Sequence, residues 1–107
     1  MASFLYTPEP DEQITLVKPK GSHWSLEELQ KLVGGYIEII PTIDNRYMVI
    51  NELGKVMRPM LPLNKQATRA YLYGRDDWIA GPAVIVDTKE ELDGPEDADE
   101  GTNCGEL

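Results

Sequence analysis

Gly34-Gly35-Tyr36-Ile37-Glu38-Ile39-Ile40-Pro41, followed after a short gap by Tyr47-Met48-Val49-Ile50-Asn51-Glu52-Leu53-Gly54-Lys55, decides the fold of this chain. Each boundary in it carries its own chemistry. Gly34 closes a preceding helix, because glycine enters the left-handed region without a Cβ penalty. Tyr36–Pro41 reads as a strand, with Ile37 and Ile39 on one face and Tyr36, Glu38 and Ile40 on the other. Asp44-Asn45 is a favourable turn pair, since both side chains bond nearby backbone and tolerate positive φ. Tyr47–Ile50 is the returning strand, Glu52-Leu53-Gly54-Lys55 a second turn, and Val56-Met57 the start of a third strand. Connections this short predict an antiparallel meander.

Upstream, Ile14–Pro19 has the β-branched content of a short strand, and the proline ends it. Ser25-Leu26-Glu27-Glu28 is a capping box, and Leu26, Leu29, Leu32 and Val33 follow at helical spacing on one face. Residues 1–12, with Pro8 and Pro10, read as an irregular arm. Downstream, Pro59 and Pro62 bracket a segment that is neither helix interior nor central strand. Asn64 is an N-cap for a helix over Lys65–Tyr73, with Ala67, Ala70 and Tyr71 facing inward and Gly74 ending it. Ala83-Val84-Ile85-Val86 is a continuous apolar run suited to a strand covered on both faces. The expected class is α+β: a small antiparallel meander with two short helices in a single domain over residues 13–87.

The net charge of −9 is concentrated at one end. Residues 87–107 hold nine acids and one base, whereas residues 1–86 hold ten acids and nine bases. Residues 88–107 therefore read as a disordered acidic tail on a nearly neutral body. Such a body, trailing negative charge, is not expected to bind nucleic acid non-specifically, although Lys55, Arg58, Lys65, Arg69 and Arg75 can still form a local basic patch. No apolar run approaches the roughly 20 residues of a membrane span, and Met1–Pro8 lacks the pattern of a secretory signal. The single cysteine, Cys104, excludes an internal disulfide and a cysteine metal cluster. The expected location is the cytoplasm of a bacterial host.

Four pieces in order carry a family resemblance. They are Gly35-Tyr36-Ile37-Glu38-Ile39-Ile40-Pro41, Val49-Ile50-Asn51-Glu52-x-Gly54-Lys55, Leu61-Pro62-Leu63-Asn64-x-x-Ala67-Thr68 and Ile79-Ala80-Gly81-Pro82-Ala83-Val84-Ile85-Val86. Together they resemble the small proteins of phages and mobile elements catalogued as domain of unknown function 3846. Arg58-Pro59-Met60 departs from the small-residue turn expected there. The resemblance implies a phage or plasmid origin and a compact α+β domain. It supplies no catalytic residues.

The residues themselves offer little chemistry. His23, the one histidine, has no acid spaced around it as a co-ligand, so neither a metal nor a cofactor is expected. Cys104 lacks a partner base, and Gly34-Gly35 runs helix to strand, the reverse of a phosphate-binding loop. No catalytic set emerges, and the chain is expected not to be an enzyme. The best ligand-binding candidates are Asn51, Asn64, Lys65, Thr68 and Arg69, with the start of the second helix as an anion cradle. A purely structural role for Asn51 as a turn residue and Asn64 as a cap competes with that reading. Trp78 and the tyrosines at 36, 47, 71 and 73 read mostly as core or rim, and beside arginines they also suit base stacking or a protein contact. The expected function is binding by occupancy, sequestering a host protein or a small nucleotide-like ligand, with counter-defence as one such role. The alternative is a module whose acidic tail mimics or competes with nucleic acid. An open strand edge would also permit a homodimer.

Overall fold

The run Ala83–Val86 is buried at every position and forms the middle strand of the sheet. The computed structural model describes residues 3–87. In chain order the elements are β1 (Ser3–Tyr6), β2 (Ile14–Val17), α1 (Leu26–Val33), β3 (Ile37–Pro41), β4 (Tyr47–Asn51), α2 (Lys65–Ala70) and β5 (Ala83–Val86). The strands lie in the order β2-β1-β5-β4-β3, with every neighbouring pair antiparallel. The chain is thus an α+β domain.

Alternation along the strands divides the core in two. On one face Val49, Val84 and Val86 pack with Leu29 and Val33 of α1 and with Trp24 before it. On the other, Ile40, Met48, Ile50, Ala83 and Ile85 pack with Ala67 of α2 and with Ile79. The helix α1 forms because Ser25 accepts from the Glu28 amide while the Glu28 carboxylate accepts from the Ser25 amide, and it stops at Gly34, whose φ is 86°. At only two turns it depends on packing. Leu29 and Val33 supply that packing, whereas Leu26, placed on the same face by its spacing, is exposed.

Several sequence expectations change. The irregular arm assigned to residues 1–12 contains β1, which sits between β2 and β5. One of its two partners, β5, comes from the other end of the domain, with Ser3 against Val86 through Tyr6 against Ala83, and the prolines at 8 and 10 mask the local pairing with β2. Val56-Met57 is not a strand: both amides turn back to the Leu53 carbonyl, and β4 pairs with β5 instead. The second helix ends at Ala70 and not at Tyr73, because Tyr71 becomes extended and bridges Thr42. The acidic segment 88–107 lies outside the described residues. Among those described, no helix is long and apolar enough to cross a membrane.

The position of β1 gives the first prediction. Removing residues 1–7 leaves β2 without a partner and exposes the edge of β5. We expect the cooperative urea transition, followed by circular dichroism, to disappear.

Candidate functional site

Three of the five residues singled out as ligand-binding are joints of the backbone. Asn64 is fully buried. Its Nδ2 donates to the carbonyls of Tyr6 and Gly81 at 2.8 and 2.9 Å, and its Oδ1 accepts the Ala67 amide at 3.0 Å, capping α2. Thr68 Oγ1 donates to the Asn64 carbonyl at 2.8 Å and accepts the Ile79 amide at 2.9 Å. Asn51 Nδ2 donates to the Val33 carbonyl at the end of α1, and its Oδ1 accepts the Leu53 amide. A side chain at Gly35 would press on Asn51 Nδ2 at 3.1 Å, so the glycine makes room for this joint.

Lys65 and Arg69 point outward. Lys65 pairs with Glu9 at 2.9 Å, which raises its pKa, but both partners are substantially exposed and such a pair contributes little. Arg69 is exposed, and among the described residues its side chain forms no ion pair. The five residues do not converge: Asn51 belongs with α1, Asn64 is buried and Thr68 half-buried at the α2 layer, and the two cations are exposed. At α2 the Ala67 amide is already capped, and the helix has six residues. A depression lined by Lys20, Gly21, His23, Ser25 and Glu28 lies beside the start of α1. Glu28 and Ser25 already bind one another there, and Glu28 also accepts the Lys20 amide at 2.8 Å. Among the described residues no three histidines, cysteines, aspartates or glutamates cluster as metal ligands.

The more distinctive surface is built by the loop between β4 and α2. A Cβ on Gly54 would lie 2.6 Å from the Ala80 carbonyl, so the loop backbone rests directly on the segment entering β5. The Leu61 amide bonds the Gly54 carbonyl at 3.0 Å, and the Gly81 amide bonds Pro62 at 2.7 Å. These bonds close 54–61 into a compact loop. Leu53, Val56, Met57 and Met60 are exposed on it. Lys55 forms an ion pair with Asp77 and lies 4.3 Å from the centroid of the Trp78 ring, which is itself 43% exposed. Arg58 donates to the carbonyls of Val56 and Met57 at 3.2 and 3.1 Å, bracing the loop tip.

Sequence reasoning found Trp78 and the basic residues but missed Asp77, and with it the link between Lys55 and Trp78. Twenty-two positions separate Lys55 from Asp77, and no local pattern joins them. The readable signal was the apolar content around Pro59, with Val56 and Met57 before it and Met60 and Leu61 after it, too apolar for an ordinary solvated turn.

Asn64→Ala should destabilise the protein by about 2–4 kcal/mol in urea denaturation, since it removes a cap and strands two carbonyls. The ion pair gives a prediction in pH. Lys55, with help from the Trp78 amide, lowers the Asp77 pKa below its ordinary 3.8. The stabilisation is therefore present above that ordinary value and is lost as pH falls through the folded one. A carboxylate titration by NMR should place Asp77 below a free aspartate, and Lys55→Met should bring it back up.

Residues 5–100 match the model of a family described as "Domain of unknown function (DUF3846)". No curated protein and no solved structure matches the chain. The four motif pieces meet at the joints just described: Gly35 against Asn51, Gly54 against Ala80, and Asn64 against Gly81. With the match covering nearly the whole sequence, the chain belongs to the DUF3846 family.

Proposed function

We propose that this chain is a small non-enzymatic binding protein of phage or mobile-element origin that acts by occupying a host protein. The loop 53–60 with Trp78 is the contact surface. The observation that carries this reading is the concentration of exposed Leu53, Val56, Met57, Met60 and Trp78 around one ion pair. Aromatic, methionine and arginine side chains are those enriched in protein contacts, and large exposed apolar groups gathered on one braced loop resemble a binding patch more than a solvated turn. Lys55 and Arg58 beside them suit a partner whose apolar patch is rimmed by acids.

The same geometry favours a protein over a nucleotide-like ligand. Asn51, Asn64 and Thr68 already bind backbone, Lys65 is paired with Glu9, and Arg69 alone of the five offers an exposed charge outside the ion pairs of the described residues. A second reading rests on charge: residues 87–107 carry nine acids and one base, enough to compete for a basic partner.

Pull-down from host lysate separates the readings. Met57→Asp and Trp78→Ala should abolish capture of the partner, Trp78→Ala by at least about 2 kcal/mol if the ring is a central anchor. Deleting residues 88–107 should leave capture intact. Capture lost only in the truncation would favour the tail, and capture insensitive to all three changes would overturn both.

A further inference from the structure

The two edges of the sheet are not alike. At β3, Pro41 lacks an amide hydrogen, and the segment after α2 lies along the strand's end. The Leu72 amide bonds the Pro41 carbonyl at 3.1 Å, and the Ile43 amide bonds the Ala70 carbonyl at 2.9 Å. Proline and a covering segment are common ways of blunting an edge. Among the described residues no strand pairs with the outer side of β2, the opposite edge. The Thr7 amide bonds the Gln13 carbonyl at 2.9 Å, continuing the β1–β2 register. By the alternation of an antiparallel ladder, Gln13, Thr15 and Val17 direct their backbone groups toward β1. The amides and carbonyls of Ile14 and Leu16 therefore face outward.

The side chains of Ile14 and Leu16 lie on the α2 face, since Leu16 pairs with Phe4 and Phe4 with Ile85 of that core. The core under α2 is gathered from β3, β4 and β5, and Ile14 and Leu16 remain 52% and 56% exposed. An edge strand with open backbone groups and bare isoleucine and leucine is a template for another strand.

We infer that β2 pairs antiparallel with β2 of a second copy, about a two-fold axis through Thr15. This inference does not depend on the loop surface. In that register Leu16 stands opposite the partner's Ile14 and Ile14 opposite the partner's Leu16, and each pair exchanges both main-chain hydrogen bonds. Both apolar pairs fall on the same uncovered face. Thr15 meets the partner's Thr15 on the other face, a favourable cross-strand combination. One step further out, Lys18 stands opposite the partner's Glu12, and by symmetry Glu12 opposite the partner's Lys18. The backbone pattern, the apolar pattern and the charges thus select one register. Pro19 does not interfere, because its missing amide is on the inward side of the ladder. The result is a continuous sheet running through both copies, an isologous contact that closes on itself.

Sedimentation of the full chain over a concentration series tests the pairing. The wild-type protein should interconvert between monomer and dimer. Leu16→Lys and Leu16→Pro should be monomeric with unchanged circular dichroism, since residue 16 is exposed and its amide faces outward. Lys18→Glu should weaken the dimer by roughly tenfold, because two symmetric pairs become repulsive, and Glu12→Lys with Lys18→Glu should restore it. If the Leu16 variants fail to fold, this charge exchange still decides. A wild-type monomer at every concentration, a dimer indifferent to a folded Leu16→Lys, or a double exchange no better than the single one would overturn the proposal.

Discussion

The burial of the Asn64 side chain constrains everything around it. A carboxamide has two donors and an acceptor, and in a dry site each must be matched. Here the matches are the end of β1, the turn before β5 and the first turn of α2. These segments are remote in sequence and meet at one group. Its own backbone extends the junction, with the amide on Ile79 and the carbonyl shared by the Thr68 amide and hydroxyl. A fully satisfied polar group in low dielectric specifies its neighbours more strictly than an apolar contact of equal size, because small shifts strand a donor or acceptor. That strictness ties the end of β1, the entry to β5 and the start of α2 to one another.

The interior being so determined, the surface is where this domain has freedom. A domain this small buries a modest fraction of its apolar surface, so some exposed leucines and methionines need no explanation. Their distribution is more informative than their number. Several sit on a loop whose backbone is fixed by Gly54 against Ala80 and by the Leu61 amide, so a partner would meet a preformed shape. Others sit on β2, where the unused backbone groups also lie.

Much of the fold was legible in the letters. The capping box at Ser25, the left-handed Gly34, the β3–β4 hairpin and the buried β5 all rest on short-range chemistry, which sequence patterns report well. The positive φ of 66° at Asn45 is what the Asp44-Asn45 pair suggested. Four residues of β1 carry a weaker signal, because half of their pairing lies far away, at Ala83–Val86. The candidate residues were legible as important but not as to why. Asn51 and Asn64 are polar groups in apolar surroundings, a pattern shared by ligand sites and by buried joints, and only the positions of Val33, Tyr6 and Gly81 distinguish the two. The Lys55, Asp77 and Trp78 cluster was hidden for the reason β1 was: its members meet only after the chain has folded.

That β1 lies inside the sheet bears on how the protein is made. Ser3 pairs with Val86, so β1 leaves the ribosome well before the strand that completes it. Until β5 has emerged, the β1–β2 hairpin and the β3–β4 hairpin are separate ribbons, each too small to persist in water. Closure joins residues at nearly the greatest separation the domain allows, which places it among slower-folding topologies for its size. The nascent chain therefore waits, with its strand edges unmatched, for β5 before it can become a single cooperative unit.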